Sequence, residues 1–304
     1  MSVAVMTPAG ESKPLPLGLT VVDFLRTYKW WLLAGVLLLG LLYAKSFAKL
    51  WSDWSTDENY SHGYLVPVAF FWMIWMQRKE LANIQVAPRV WGLGIVGLGV
   101  AQMVVGKLGA ENFVTNSSLL VVLSGITIYL FGTAVFRRMA FPIAWLLFMI
   151  PLPAIIYYAL TFKLQVLASS LSSTMLDWFR IPNVREGNVI YLPNFTVGVV
   201  EACSGIRSLI SLLAFAAFFG YVSPMNRLSR WVLLLSAVPI AIFVNALRIG
   251  GTGCVGNYGS PKYAEGFYHT FSGWLLFLGC LGSVALVSRL LTRLNRAPSQ
   301  EKSA

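Results

Sequence analysis

The sequence predicts an all-α polytopic membrane protein with about eight transmembrane helices, and three observations carry that prediction. Of the 304 residues, 57% are hydrophobic and only 12% are charged, whereas soluble domains carry roughly 25% charged residues. The mean hydropathy is +0.69, and the chain holds 11 Trp, 12 Tyr and 19 Phe, more than one water-soluble core would bury. Apolar runs long enough to cross a bilayer recur along the chain. An ordinary soluble enzyme is thereby excluded.

Eight apolar runs are predicted as spans, the second being the shortest: 30–49, 63–77, 90–110, 117–136, 139–160, 204–222, 231–249 and 269–288. They define one multi-span domain over residues 29–290. Residues 1–28 are polar and contain prolines, which predicts a loose cytoplasmic tail, and residues 291–304 form a second tail. A cleaved signal peptide ending near Ala48 is the alternative for the N-terminus, and it would leave the remaining topology unchanged.

The orientation follows from the basic residues, because loops rich in Lys and Arg stay in the cytoplasm. If the N-terminus lies inside, the inner segments hold 14 of the 23 basic residues and four of the 12 acidic ones. The rest of the chain then holds nine basic and eight acidic residues. The sequence therefore predicts that both termini are cytoplasmic and that the number of spans is even.

Two predicted outer segments are longer than simple connections. In the first, residues 162–179 have apolar side chains at near-helical spacing, which predicts an amphipathic helix on the membrane surface. Residues 188–200 are rich in β-branched and aromatic types, with Pro193-Asn194 as a turn, which predicts a small β-hairpin. The second segment, 250–268, contains six glycines and one proline, so we expect a loop.

The net charge of +11 is explained by short basic clusters between apolar runs, and no nucleic-acid partner is expected. The three cysteines, Cys203, Cys254 and Cys280, are too few and too irregularly spaced for a disulfide framework or a paired-Cys zinc site. Each cysteine therefore has to be judged singly.

Reactive residue types gather at one predicted depth. Cys203 opens the sixth span, Arg248 closes the seventh, His269 opens the eighth and His62 precedes the second, so all four fall at the outer membrane surface. Polar side chains next to spans cost free energy, so their presence there indicates a functional role. Their common depth indicates a functional site there.

Cys203 is a candidate nucleophile, because it lies in Glu-Ala-Cys-Ser-Gly-Ile-Arg, where a hairpin gives way to a helix. A thiol in the first turn of a helix feels the positive end of the helix dipole, which lowers its pKa toward the thiolate range. Arg207 would add positive charge from the same helical face. The alternatives are a small buried side chain or a disulfide with Cys254.

Arg248 and His269 are candidates for the other chemical roles. Arg248 lies in Asn-Ala-Leu-Arg-Ile-Gly, with Asn245 on the same face, and would stabilise an oxyanion or the thiolate; alternatively it only reaches to the interface. His269 is a candidate general base, with an aromatic-belt histidine as the alternative. His62, in Tyr-Ser-His-Gly-Tyr, has the same alternative.

Other chemistries find less support in the sequence. A metal site built from His62, Cys203 and His269 lacks any short-range pair of ligands, so no metal and no cofactor are expected. There is no His-Glu-x-x-His, no Gly-x-Gly-Asp and no phosphate-binding glycine loop. Thiol chemistry is therefore the sharpest enzyme hypothesis.

The run Glu201 to Leu209, the later Asn245 to Ile249, and His269 before the final span together resemble the three signature blocks of the exosortase/archaeosortase family. The block Ser61-His62-Gly63 is similar to the N-terminal pattern of that family. These blocks stand in the family's order and extend over nearly the whole membrane region.

This resemblance implies a cysteine transpeptidase of the bacterial inner membrane. Its substrates would be exported proteins with a tripartite C-terminal signal: a Pro-Glu-Pro-type motif, an apolar helix and a basic cluster. Carried over by position, Cys203 would attack the scissile carbonyl, Arg248 would stabilise the developing charge and His269 would act as acid and base. Glu201, Arg207, Asn245 and His62 would bind substrate or position these groups. The acyl group would pass to an acceptor linked to exopolysaccharide or the envelope.

Two competing functions come from other classes. One is a transporter or polysaccharide-export component, in which the outer polar cluster would be a gate; transporters usually place polar groups near the bilayer midplane and show repeated halves. The other is a non-catalytic assembly factor of the same fold, against which the presence of all three candidate catalytic residues argues.

Overall fold

The computed structural model describes residues 4–6, 12–14, 18–199, 204–258 and 267–296, and helices make up most of them. The chain divides into two compact units, Met1–Pro153 and Ala154–Ala304. The first unit begins with two short antiparallel strands, β1 (Ala4–Met6) and β2 (Ser12–Pro14). Its helices are α1 (Val21–Thr27), α2 (Lys29–Leu42), α3 (Ala44–Thr56), a 3-10 helix (Glu58–Tyr64), α4 (Leu65–Met76), α5 (Arg78–Ala82), α6 (Gly92–Leu108), α7 (Asn112–Phe131), α8 (Thr133–Trp145) and a second 3-10 helix (Leu146–Met149).

The predicted tail over residues 1–28 contains regular structure, namely the pair β1 and β2 and the helix α1, while its cytoplasmic location stays a prediction. Thr20 and Asp23 form a capping box that starts α1. The Val21 N–H donates to the Ile84 carbonyl at 3.0 Å. The Val21 side chain is buried in a small apolar cluster with Leu81 and Val135. Burial of this apolar face stabilises the short helix.

Helices α6 and α7 pack closely because three glycines of α6, spaced seven residues apart, face α7. A Cβ atom at Gly92 would lie 2.5 Å from the Tyr129 nitrogen, one at Gly99 would lie 2.7 Å from Val122 Cγ2, and one at Gly106 would lie 2.5 Å from Thr115 Oγ1. Small residues at such spacing let two helix backbones approach, which is how membrane helices gain packing energy in lipid.

The second unit consists of four helices and a three-stranded sheet: α9 (Ala154–Trp178), β3 (Val184–Glu186), β4 (Val189–Tyr191), β5 (Thr196–Gly198), α10 (Ile206–Val222), α11 (Arg227–Tyr258) and α12 (Phe267–Arg296). Helix α9 joins the end of the predicted fifth span to the predicted surface helix in one continuous helix. The interruption lies earlier, at residues 150–153, because Pro151 and Pro153 disfavour helical backbone before them.

The sheet is antiparallel in the order β3-β4-β5, so the segment predicted as a hairpin gains a strand on the side of β3. Pro193 and Asn194 lie in the connection between β4 and β5. Ile190, Leu192 and Val199 are buried in an apolar cluster whose other members include Leu176 and Ile249 of the neighbouring helices. This cluster attaches the sheet to α9 and α11.

The expected glycine-rich loop from 250 to 268 is wrong for residues 250–258, which continue α11. A Cβ atom at Gly250 would meet Met175, one at Gly253 would meet Leu176, and one at Gly256 would clash with the Phe195 ring. The glycines therefore serve close packing against α9 and the sheet, and they do not form a flexible connection. Residues 259–266 of that expected loop lie outside the described part.

Within the described residues, four helices are long and apolar enough to cross a bilayer: Asn112–Phe131, Ala154–Trp178, Arg227–Tyr258 and Leu275–Asn295. Helices α1 and α2 meet at 83° and would add a fifth if they form one broken span. Helices α6 and α10 are apolar but have only 17 residues each. The architecture is that of an all-α membrane protein with four or five candidate spans, and the count of eight remains a prediction.

Candidate functional site

The start of α10 is fixed by a close contact with α11. Gly205, the residue before α10, has φ +80°, a left-handed conformation that favours glycine. A Cβ atom at Gly205 would lie 2.8 Å from Cγ of Asn245, whose side chain is buried. Ser204, also buried, accepts a hydrogen bond through its hydroxyl from the Ile206 N–H at 3.3 Å. This contact sets where the chain enters α10.

Arg248 follows Asn245 by one turn of α11 and is half-buried. Its guanidinium lies beside α12, because a Cβ atom at Gly273 would be 3.5 Å from Nη1 of Arg248. A Cβ atom at that distance would make an ordinary van der Waals contact with the guanidinium, so Gly273 marks where α12 and Arg248 are adjacent. Thr252 donates a hydrogen bond to the Arg248 carbonyl at 2.9 Å, one turn further along α11.

Helix α9 supports the same turn of α11. The hydroxyl of Ser172, a fully buried residue, donates to the Ala246 carbonyl at 2.9 Å. Ala246 lies between Asn245 and Arg248, so this bond holds the turn that carries both predicted residues. The sequence did not point to Ser172 or Gly273, since neither shares a motif with Asn245 and Arg248. Both residues are identified only by the packing of α9 and α12 against α11.

The structure thus brings together neighbours of the predicted residues. Gly205, two residues after Cys203, contacts Asn245, and Gly273, one helical turn after His269, lies beside Arg248. His269 is the third residue of α12, and Arg207 is the second residue of α10 and half-buried. Cys203 and Glu201 lie outside the described residues. All of these elements belong to the second unit.

His62 belongs to the first unit, in the 3-10 helix before α4. Its Nε2 lies 3.2 Å from the Phe148 carbonyl oxygen, which is a hydrogen bond when Nε2 carries the proton. Three further bonds join the same two segments: Trp54 Nε1 to the Met149 carbonyl at 2.9 Å, Trp145 Nε1 to the Val66 carbonyl at 3.1 Å, and the Leu152 N–H to the Tyr60 hydroxyl at 3.2 Å. We call these four bonds the aromatic clasp.

The second ring nitrogen of His62, Nδ1, is buried. Burial lowers the pKa of His62 below its usual value, and hydrogen bonds with the backbone of Phe148 and of Asn59 oppose this effect in part. The residue is therefore neutral at pH 7, and it supports the clasp in the neutral state.

Cys254 packs against the apolar cluster formed by the sheet and Ile249. This placement corresponds to a small packing residue. The disulfide with Cys203 stays an alternative, since Cys203 lies outside the described residues. Among the described residues, no group of three or more His, Cys, Asp or Glu side chains has the arrangement of a metal site.

The arrangement around α10 and Arg248 favours the stabilisation of negative charge. A helix of 17 residues begins at Ile206, and its first N–H groups and dipole favour an anion at that end. Arg248 lies one turn after Asn245 on α11, and its guanidinium is next to α12. A thiolate, or the oxyanion of a tetrahedral intermediate, is the kind of charge such a site stabilises.

Comparison with known protein families gives a match over most of the chain. A protein-family model described as transmembrane exosortase matches residues 54–286, well over half of the chain. The match begins in α3 and ends within α12, so it includes the aromatic clasp as well as the site around Arg248. No curated protein matches the chain, and neither does any solved structure.

Proposed function

The chain belongs to the transmembrane exosortase family, and from this membership we propose that it is a cysteine transpeptidase of the bacterial inner membrane. Its substrates are exported proteins that carry a C-terminal Pro-Glu-Pro-type motif, an apolar helix and a basic cluster. Members of this family act generally as cysteine transpeptidases. In this chain, the site cleaves the substrate on the outer side of the membrane and transfers it to an envelope or exopolysaccharide-linked acceptor.

One observation carries the proposal: two contacts join three chain segments, each of which contains a proposed catalytic residue or lies close to one in sequence. Gly205 against Asn245 joins the entry of α10 to α11, and Arg248 beside Gly273 joins α11 to α12. Cys203 precedes Gly205 by two residues and His269 precedes Gly273 by one helical turn. These two contacts lie within four residues of each proposed catalytic residue, which supports the proposal.

The chemistry follows from the residue types. The Cys203 thiolate attacks the scissile carbonyl, and the tetrahedral oxyanion that forms accepts hydrogen bonds from the Arg248 guanidinium. The C–N bond then breaks, the leaving amine takes a proton from His269, and a thioester remains on Cys203. An acceptor nucleophile loses its proton to His269, attacks the thioester and releases the Cys203 thiolate. A water molecule in place of the acceptor would give hydrolysis.

Further residues position this machinery. Asn245 packs against Gly205 and so sets the distance between the nucleophile segment and α11. Arg207, in the first turn of α10, adds positive charge at the helix end that favours a thiolate. Glu201 is assigned to substrate binding or positioning, by its place in the same block. No cofactor takes part in the proposed reaction.

A transport function is the second candidate, because the structure buries polar side chains inside candidate spans. Asn116 of α7 is buried with no hydrogen-bond partner for its amide nitrogen in the described part, and the same holds for the Thr161 hydroxyl of α9. Gln165 is buried one turn after Thr161. Buried polar groups in spans are typical of transport pathways, and a processing experiment separates the two functions.

The proposed function is tested by co-expression with an exported reporter that carries a Pro-Glu-Pro-type tail. We expect wild type to shorten the reporter, seen by gel shift, and Cys203→Ala to leave it intact. Mass spectrometry of the new C-terminus distinguishes transfer from hydrolysis. Cys254→Ser is the matched control and should retain processing, since Cys254 packs in an apolar cluster.

Equal processing by wild type and Cys203→Ala would refute the nucleophile assignment. Loss of processing in Cys254→Ser alone would move the nucleophile to that residue. If folded wild type processes nothing, the peptidase proposal fails and the transport function gains support.

A further inference from the structure

One edge of strand β5 pairs with no other described strand. The sheet order is β3-β4-β5, so within the described residues β5 pairs on one side only, with β4. Thr196 and Gly198 are exposed, and a Cβ atom at Gly198 would meet nothing within 4 Å. An exposed strand edge offers unpaired N–H and C=O groups to an extended peptide.

The groups at this edge are identified by the alternation of antiparallel pairing. The Val199 N–H donates to the Asn188 carbonyl at 2.9 Å, and the Phe195 carbonyl accepts from the Leu192 N–H at 2.9 Å. Residues of odd number on β5 therefore turn their backbone groups toward β4. Thr196 and Gly198 turn theirs outward, to the edge away from β4.

The two faces of β5 differ in polarity. Phe195, Val197 and Val199 point their side chains toward the apolar cluster under the sheet, whereas Thr196 and Gly198 lie on the open face. In an added antiparallel strand, directly opposite residues share a face. A residue opposite Gly198 would thus lie on the open face, and its two neighbours would lie on the apolar face.

This pattern matches a peptide in which prolines flank an acidic residue. The residue opposite Gly198 exchanges both backbone hydrogen bonds with it, while its neighbours turn their nitrogens away from β5. A proline at either neighbouring position loses no bond through its missing N–H, and its apolar ring falls on the apolar face. The acidic side chain stays on the open face, where it remains hydrated.

The edge is also close in sequence to the proposed nucleophile. Gly198 precedes Cys203 by five residues, and five residues of extended chain span at most about 17 Å. A bound segment of similar length is therefore sufficient to reach from Gly198 to the thiol. Asn188 makes two hydrogen bonds with the backbone of Val199, the residue after β5. Its carbonyl accepts from the Val199 N–H, and its side-chain nitrogen donates to the Val199 carbonyl at 3.0 Å.

We propose that the edge of β5 away from β4 binds the proline-flanked acidic motif of the exported substrate as a fourth antiparallel strand, with the acidic residue opposite Gly198. The proposal rests on the proposed function and deepens it by assigning a surface that reads the motif. It also explains why a motif with prolines at alternate positions is suitable: those positions need no backbone donor.

The first test uses two matched proline variants of the full chain in membrane vesicles, with the tailed reporter as substrate. Gly198→Pro removes one outward donor from β5, and Arg185→Pro removes one outward donor from β3, the opposite edge. Proline is tolerated where the N–H of an edge strand faces solvent, so both sheets should fold. We expect kcat/KM to fall about tenfold for Gly198→Pro, the effect of one lost backbone hydrogen bond, chiefly through KM. Arg185→Pro should match wild type, and equal kcat/KM for both variants would overturn the proposal.

The second test needs no turnover. The Cys203→Ala protein is mixed with a reporter that carries a photo-crosslinking residue directly after the second proline, and the products are mapped by mass spectrometry. Crosslinks within residues 195–199 support the edge, even if wild type processes no reporter and the peptidase proposal fails. Crosslinks elsewhere, while wild type does process the reporter, would overturn the edge and leave the peptidase proposal intact.

Discussion

At the scale of single residues, Gly205 and Asn245 show how the site depends on a position without a side chain. Gly205 adopts a left-handed conformation and at the same time contacts the buried amide of Asn245. Either constraint alone disfavours a larger residue. Together they make this position one of the least replaceable in the second unit, although it carries no chemistry of its own.

We expect Gly205→Ala to lower processing of the tailed reporter more than tenfold and to destabilise the protein by about 1–3 kcal/mol, through backbone strain and overpacking. Gly279→Ala is the matched control, because a Cβ atom there meets nothing within 4 Å. Reporter processing and thermal unfolding in detergent measure both effects. Wild-type behaviour of Gly205→Ala would contradict the close contact with Asn245.

His62 gives a prediction on pH. Because burial lowers its pKa in the folded protein below the unfolded value of about 6.5, the unfolded state binds the proton more tightly. The stability due to neutral His62 is therefore present above pH 6.5 and is lost as the pH falls below it.

We expect the thermal midpoint of wild type to fall between pH 7.5 and pH 5 by more than that of His62→Gln, which keeps a donor for the Phe148 carbonyl and does not titrate. Unfolding scans of both proteins across this range make the comparison. Parallel curves would show that His62 protonation is not coupled to folding.

At the scale of helices and strands, packing between elements determines whether a segment of ambiguous composition forms a helix or a loop. The approximate positions of most predicted spans correspond to helices, because apolar periodicity and length are local signals. The glycines after Arg248 resemble a loop by composition, yet residues 250–258 are helical since Met175, Leu176 and Phe195 fill the space beside them. The residues that make this segment helical are therefore distant from it in sequence. The hydrogen bond of Ser172 to α11 is likewise not predictable from any motif.

The packing of α6 on α7 predicts opposite outcomes for two neighbouring glycines. Gly99→Leu would place a side chain against Val122 and should destabilise the protein by about 1–3 kcal/mol. Gly97→Leu should be nearly neutral, because a Cβ atom at Gly97 meets nothing within 4 Å. Equilibrium unfolding in mixed micelles compares the two variants with wild type. Equal destabilisation by both would contradict the assigned face of α6.

At the scale of the whole molecule, composition and the distribution of basic residues are sufficient to predict a helical membrane protein, and its family membership agrees with that prediction. The number of spans is less predictable, because proline breaks and short helices divide apolar runs into pieces. Residues 139–160, for example, appear as one run in the sequence but are divided by the prolines at 151 and 153.

The predicted orientation is tested with two introduced cysteines at exposed positions. Val184→Cys, on β3, should react with a membrane-impermeant thiol reagent in intact cells. Leu228→Cys, in the first turn of α11, should react only after the inner membrane is permeabilised. Labelling relative to wild type corrects for native thiols. The reverse pattern would invert the topology and place the proposed site in the cytoplasm.

The seven-residue spacing of Gly92, Gly99 and Gly106 also restricts how the length of the chain can change during evolution. Insertion of one residue between Gly92 and Gly99 would rotate the remainder of α6 by about 100° and turn the two later glycines away from α7. A deletion would rotate it in the opposite direction. Insertions and deletions should therefore be absent from α6 in related sequences, while the connections at its two ends are free to vary in length.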